Sequence, residues 1–295
     1  MVDLLCVPAY AKVNLSLKVL PKRKDGYHNL ESLFQLINFY DELEIKKNGK
    51  ESVCKVTCPG FDLPEKNTLT SIYEEFSKVT GITEGVDVCL KKRIPSGAGL
   101  GGGSSDAASF LRALNTMFNT ELPYKTCADI ALKTGSDVPF FLAGGTSIYG
   151  YDKYTSCVVS GRGELIQKIN SRKDLTYIII CPDVHSSTKE AYGLIDEYPD
   201  YKKDSECPAL EDLEKEYWKN PKEWKFCNSF TYLLGRKYPE INQALIDLKN
   251  TGADFCQMSG SGSTVFGIYV SKDEAENAIK KLDCKWKRCF ILPSS

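Results

Sequence analysis

Arg93-Ile94-Pro95-Ser96-Gly97-Ala98-Gly99-Leu100-Gly101-Gly102-Gly103-Ser104-Ser105-Asp106-Ala107-Ala108 packs five glycines into seven positions and follows them with two serines. Before it, Val86, Val88 and Leu90 alternate with Asp87, Cys89 and Lys91, a strand period. After it, Ala107, Phe110, Leu111 and Leu114 recur at the spacing of one face of an amphipathic helix. The order is strand, glycine loop, helix. The first turn of a helix carries unpaired N–H groups and a partial positive charge. Glycines let such a backbone close on a polyanion because no Cβ intervenes. Together these features read as a phosphate cradle.

The loop is not a Walker A segment, since no Gly-Lys-Ser/Thr ends it, and its Gly-x-Gly-x-x-Gly matches are those any glycine run produces. The competing reading is a tight or flexible turn, which the Ser-Ser-Asp at the mouth of a patterned helix argues against.

The chain has 295 residues, 42% hydrophobic and 26% charged, with net charge −1. That suits one large or two modest globular domains. It offers no general attraction to nucleic acid or an anionic membrane. No apolar stretch approaches a membrane span, and the N-terminus has the wrong charges for a signal or transit peptide. A cytoplasmic location is expected. The twelve cysteines are dispersed, with no zinc spacing, and read as small, mostly buried hydrophobes in a reducing compartment.

Ala11 to Val19 alternates strictly and reads as a half-buried strand with Lys12, Asn14, Ser16 and Lys18 on its polar face. Asp25-Gly26 marks a turn whose tip, Lys22-Arg23-Lys24, reads as solvated. Cys54–Cys58 reads as a strand, and Asn67 as the cap of a helix that Gly81 stops. Helices are expected over 104–118, 124–133, from Ser187, 211–218, 226–234, from Pro239, and 273–282. Strands are expected over 175–181, 265–270 and 286–292. A boundary near the polar stretch that runs beyond Gly150 to Glu164 divides the chain into 1–155 and 156–295. Asp137, two residues before Pro139, reads on its own as a helix cap.

Pro95 to Ala108 resembles the phosphate loop of the GHMP kinases, the superfamily of galactokinase, homoserine kinase, mevalonate kinase and phosphomevalonate kinase. Ala11-Lys12-Val13-Asn14-Leu15 with Asp25-Gly26-Tyr27-His28 resembles the N-terminal signature of one branch, the 4-diphosphocytidyl-2-C-methyl-D-erythritol kinases. Gly135-Ser136-Asp137-Val138-Pro139-Phe140-Phe141 and Met258-Ser259-Gly260-Ser261-Gly262-Ser263 resemble its catalytic-aspartate and C-terminal glycine segments. The resemblance implies an α/β (α+β) fold: a two-domain sandwich with mixed sheets and an active-site cleft between domains. It implies transfer of the ATP γ-phosphoryl group to the 2-hydroxyl of a cytidine-diphosphate-linked substrate, a step of the non-mevalonate isoprenoid pathway, with Mg2+ expected.

On this resemblance Pro95, Gly97, Ala98, Gly99, Leu100, Gly101, Gly102, Gly103, Ser104 and Ser105 hold the triphosphate. Asp137 takes the hydroxyl proton, and Lys12 keeps it ionised and offsets charge on the moving group. Tyr27 stacks on cytosine, His28 bonds its polar edge, Asn14 contacts the erythritol hydroxyls, and Tyr192 is a candidate for the second face of the base. Ser104 and Ser105 either bind phosphate or magnesium or merely cap the helix. Asp106 serves the site or the helix dipole. One of Lys91, Lys92 and Arg93 lies near the nucleotide, or all three line a solvated strand edge. His185 reads as a surface imidazole. Two other readings stay open: another GHMP-type kinase of the homoserine or mevalonate kind, and a non-catalytic nucleotide-binding regulator. Oligomeric state, monomer or dimer, is not expressed in the sequence.

Overall fold

A computed structural model describes residues 3–143, 155–198 and 206–292. The chain gathers into two compact units, Met1–Ala11 with Phe39–Ser96 and Gly101–Lys153, and Lys12–Asn38 with Gly97–Leu100 and Tyr154–Ser295. Two long strands, Leu4–Lys22 (β1) and His28–Glu51 (β2), supply residues to both. They pair through the turn at Asp25-Gly26. There Gly26 takes φ 85° and its N–H donates to the Arg23 carbonyl at 3.0 Å.

In the first unit, Glu84–Lys91 (β4) pairs antiparallel with β2 and parallel with Cys54–Thr57 (β3), so this sheet is mixed. Four helices accompany it: Thr68–Thr80 (α1), Gly102–Met117 (α2), Tyr124–Thr134 (α3) and Val138–Ala143 (α4). Asn67 caps α1 by accepting from the Leu69 and Thr70 N–H groups, and Gly81 ends it at φ 73°. Helix α2 is the pivot. Ala107, Phe110, Leu111 and Leu114 are completely buried, as their spacing implied, and each such Leu or Phe contributes about 1.5–3 kcal/mol.

In the second unit, Ser156–Gly161 (β5) pairs antiparallel with Leu30–Gln35 of β2 and with Leu165–Ile169 (β6). A separate antiparallel sheet runs Cys289–Leu292 (β10), Thr176–Ile180 (β7), Val265–Tyr269 (β9), Phe255–Met258 (β8) in that order. Pro239–Asn250 (α8) and Lys272–Asp283 (α9) pack on it through Ile241, Ala244, Leu248, Ala275, Ala278 and Leu282. Thr188–Glu197 (α5), Leu213–Tyr217 (α6) and Thr231–Lys237 (α7) complete this unit. The observed class is α/β with a mixed sheet, as expected.

Several expectations are corrected. The polar face of β1 is not solvated: Lys12, Asn14 and Ser16 are 3%, 1% and 0% exposed. Their face meets the Gly99 carbonyl and the side chains of Ser32, Ser259 and Cys207 rather than water. The stretch 226–234 is helical only from Thr231. Its first part zips onto β1, the Leu17 N–H donating to Cys227 O at 2.7 Å and the Ser229 N–H to Leu17 O at 2.9 Å. Phe226 and Phe230 mimic helical spacing there, but Phe226 packs into an aromatic cluster with Trp224 and Phe255. The final strand begins only at Cys289, because Trp286 turns away to donate its indole N–H to Asp247. The hairpin tip is solvated as expected, Lys22, Arg23 and Lys24 all being exposed, and there Lys22 pairs with Asp196 and Arg23 with Asp25. Cys207 and Cys227 form a disulfide with Cα atoms 5.6 Å apart. Among the other cysteines Cys58, Cys127, Cys157 and Cys181 are buried while Cys6 and Cys284 are exposed. Burial pushes the Cys157 thiol up to about 12. The expected boundary between residues 155 and 156 lies at the start of β5, next to 144–154, which are outside the described residues.

Candidate active site

The loop residues Gly97–Leu100 are held inside the second unit by two other parts of the chain. The Lys12 N–H donates to Leu100 O at 3.0 Å, and the Thr264 N–H donates to Ala98 O at 3.2 Å. Gly99 O accepts from the Lys12 ammonium at 3.1 Å and from Ser259 Oγ at 2.8 Å. Gly99 must be glycine: φ is 78°, and a Cβ there would stand 2.1 Å from Ser259 O. The two glycine motifs, far apart in sequence, therefore touch backbone to backbone. Asn228 fixes the second of them, donating from Nδ2 to Met258 O at 2.7 Å and to Gly260 O at 2.8 Å. Ala98 and Leu100 bury their side chains, so they contribute to this loop through the main chain. His185 lies against Gly97, where a Cβ would meet its ring at 2.8 Å.

Lys12 and Asn14 share the buried face of β1, as period-two spacing requires. The ammonium donates to Asn14 Oδ1 at 2.5 Å and sits 5.0 Å from the Phe34 ring centroid. Asn14 in turn donates from Nδ2 to Ser32 Oγ at 3.2 Å and from its backbone to Ser259 Oγ at 3.3 Å. A lysine ammonium is thus presented in a fixed position, tied to the loop at Gly99.

In the first unit, Gly101 at φ 71° precedes α2 and no side chain caps that helix. Gly102 and Gly103 open it, Gly103 exposed and with nothing near its Cβ position. The first-turn N–H groups carry the positive end of the helix dipole. Ser104 is half-buried, while Ser105 is fully buried and its hydroxyl has no hydrogen-bond partner among the described residues. Gly135, at the end of α3, lies beside Ser104, a Cβ there standing 4.0 Å from its Oγ. The turn that follows Gly135 carries Asp137, half-buried, directly before α4. Pro95 is half-buried ahead of the loop.

Behind α2 lies an ion triad that the sequence did not disclose. Lys92 donates to Asp41 Oδ2 at 2.5 Å and to Asp106 Oδ2 at 2.9 Å, all three side chains being buried. Asp41 Oδ1 also accepts the Arg93 and Ile94 N–H groups at 2.5 and 2.8 Å. Lys92 therefore neither lines a solvated edge nor reaches for a ligand. It locks residues 92–94, just past β4, to the second turn of α2. Burial pushes the Asp106 carboxyl up to about 7 against the pull of Lys92. Among the described residues its Oδ1 has no hydrogen-bond partner.

His28 and Tyr192 come together in the second unit, and Tyr27 precedes His28 in the chain. The His28 and Tyr192 rings lie 5.4 Å apart, and Tyr192 meets Phe230 edge-on at 5.1 Å. The His28 ring bonds the Leu20 carbonyl through Nδ1 at 2.7 Å, and Nε2 faces Asp196 Oδ1 at 3.1 Å. Asp196, held below the usual carboxylate range chiefly by the Lys22 ammonium, went unnoticed in sequence, as did Asn228 and Asp41. None of the three sits in a motif, and only distance in space reveals them. Tyr27 itself is 52% exposed.

Among the described residues no group of three His, Cys, Asp or Glu is placed to hold a metal ion, and no helix is long and apolar enough to cross a membrane.

The family described as GHMP kinases N terminal domain matches residues 67–145, and that described as GHMP kinases C terminal matches 209–288. The 4-diphosphocytidyl-2-C-methyl-D-erythritol kinase of Treponema pallidum is 38% identical over 291 residues, covering 97% of each chain. That of Thermodesulfovibrio yellowstonii is 34% identical, covering 97% of this chain and 96% of its own. A crystal structure of 4-(cytidine 5'-diphospho)-2C-methyl-D-erythritol kinase superposes with TM-score 0.77 at 30% identity, covering 98% of both chains. A homoserine kinase structure from Cytophaga hutchinsonii, at 19% identity and TM-score 0.62, shares the fold.

Proposed function

Because the chain belongs to the 4-diphosphocytidyl-2-C-methyl-D-erythritol kinase family of the GHMP kinases, we propose that it transfers the γ-phosphoryl group of ATP to the 2-hydroxyl of 4-diphosphocytidyl-2-C-methyl-D-erythritol, a step of isoprenoid synthesis by the non-mevalonate route. The observation that carries this is likeness along nearly the whole chain to kinases of that name. The reaction needs positioning and charge stabilisation more than covalent help. In this reading the N–H groups of Gly101–Ser105 and the main chain of Pro95–Leu100 hold the triphosphate. Asp137 accepts the hydroxyl proton as the oxygen attacks the γ-phosphorus and ADP leaves. Lys12, whose ammonium is steadied by Asn14 and Gly99, offsets charge on the transferring group. Asn14 aligns the acceptor.

Tyr27 and Tyr192 take the cytosine ring, and His28 reads its edge by exchanging Asp196 for the base. Magnesium would arrive with the nucleotide, since the described residues form no cage for it and Asp106 of α2 is engaged by Lys92. The division into domains 1–155 and 156–295 belongs to the same proposal, supported by family matches on either side of it. So does a cytoplasmic location for a protein without an apolar spanning helix among its described residues.

ADP release from ATP with the cytidylyl substrate, homoserine or mevalonate as acceptor tests the assignment. Turnover is expected with the first alone. Turnover of homoserine or mevalonate instead would make it another GHMP kinase, and nucleotide binding without any turnover would make it a regulator. Asp137→Asn should lower the rate by roughly 10²–10⁴-fold with its unfolding temperature unchanged. Full activity in that variant removes Asp137 from the role of base.

A further inference from the structure

Arg162 stands at the tip of the β5–β6 hairpin between two glycines in left-handed conformations, Gly161 at φ 69° and Gly163 at φ 119°. The tip is a built turn. The Gly163 N–H donates to Ser160 O at 3.2 Å, and the Arg162 N–H donates to Glu164 Oε2 at 2.6 Å. The Glu164 carboxylate lies so close over Gly161 that a Cβ there would come within 2.7 Å of it. From this tip the Arg162 guanidinium reaches to 3.8 Å from the centroid of the Tyr27 ring, flat contact distance.

Two facts set this cation apart. The neighbouring cations Lys22 and Arg23 are neutralised by Asp196 and Asp25. The Arg162 guanidinium forms no ion pair among the described residues. And the surface it covers is the exposed ring assigned above to a nucleobase. A ring face holds one planar group at a time. A base that stacks on the covered face must displace the guanidinium, which then swings on its glycine-flanked tip carrying an unspent charge. The base brings with it a diphosphate, the group whose oxygens a guanidinium fork meets best.

We infer that Arg162 is a specificity-determining residue for the diphosphate of the cytidine-bearing substrate, and that Tyr27 stores its guanidinium until the base takes its place. The inference rests on the reading of Tyr27 as the base platform. It makes nucleoside recognition and phosphate recognition one exchange. Free cytidine must evict the guanidinium and gives nothing back, whereas CDP evicts it and re-engages it.

The test is calorimetric binding of cytidine, CMP and CDP to the wild-type protein, to Arg162→Gln and to Tyr27→Ala, at low and high salt. In Arg162→Gln, CDP should bind roughly tenfold more weakly, the loss of a hydrogen-bonded charge pair. Cytidine should bind as well as to the wild type or better, and most of the salt dependence of CDP binding should vanish. Arg162 is exposed, and an unchanged unfolding temperature would establish that the variant is folded. An unchanged CDP-to-cytidine ratio in Arg162→Gln, with Tyr27→Ala still impairing all three ligands, overturns the role of Arg162 and leaves the base platform standing. Binding of all three ligands unaffected by Tyr27→Ala overturns the platform, and the inference with it.

Discussion

Replacing Gly99 by alanine tests whether the contact between the two glycine motifs organises the loop. The added Cβ would stand 2.1 Å from Ser259 O, where contacts below 3.0 Å essentially do not occur. Gly99 and the 259–262 turn must then part by roughly 1 Å in a close-packed region. Alanine at φ 78° adds about 1–2 kcal/mol of left-handed backbone strain. Parting also stretches the bonds from Ser259 Oγ and the Lys12 ammonium to Gly99 O, now 2.8 and 3.1 Å. Each is worth about 1–2 kcal/mol. A total loss of about 3–6 kcal/mol lowers the unfolding temperature by roughly 5–10 °C for a chain of this size. Because Lys12 loses its anchor, kcat should fall as well.

Gly103→Ala is the matched control. Nothing lies within 4 Å of that Cβ position, and the residue is inside α2, so alanine should stabilise the fold by about 0.5–1 kcal/mol. It should nevertheless raise the KM for ATP, since a methyl then covers the exposed N–H groups. Thermal unfolding and steady-state kinetics on both variants decide the matter. An unfolding temperature for Gly99→Ala within a degree of wild type, with kcat intact, refutes the reasoning.

Asp106→Asn addresses the triad. The folded carboxyl is raised to about 7, so its stabilising contribution is fully present below the ordinary carboxylate range and is lost as pH rises through 7. Urea unfolding from pH 5 to 8 should show the wild type losing stability relative to Asp106→Asn, and parallel profiles would contradict this. Asn228→Asp sets a carboxylate oxygen against Met258 O and Gly260 O, now hydrogen-bonded to its amide. It should cost about 2–4 kcal/mol in urea unfolding, and a change below half a unit would dismiss the clasp. Reducing the Cys207–Cys227 disulfide, whose partners are 20 residues apart, should cost about 3 kcal/mol. Unfolding with and without a thiol reductant, and of Cys207→Ser, measures it.

Local patterns carried much of the architecture. The Asn67 cap, the Gly81 stop and the buried face of α2 follow from spacing because each is decided within one or two turns of chain. What stayed hidden depends on partners far away in sequence. The alternation in Ala11–Val19 reports which residues face together, and it is silent on whether water or another segment meets the polar side. Lys12 and Asn14 were therefore legible as a pair while their burial was not. Lys92 looked like an edge residue because its partner Asp41 lies 51 positions earlier. Ser259 was visible as part of a glycine motif, yet its hydrogen bond to Gly99 crosses 160 residues. Phe226 misled because an aromatic cluster and a helix face share the same intervals.

Strand β1 has no expendable side. Ala11, Val13, Leu15 and Leu17 are buried on one face, and Lys12, Asn14 and Ser16 on the other. A slip of one residue against its neighbours would exchange the two sets, driving an ammonium and an amide into a hydrocarbon layer. Correct pairing of this strand is thus proofread by its chemistry. A molecule that has acquired this hairpin in a stable form has, in the same event, set its lysine at the loop. Insertions or deletions in residues 11–17 should for that reason yield no folded but inert protein, only chains that fail to assemble.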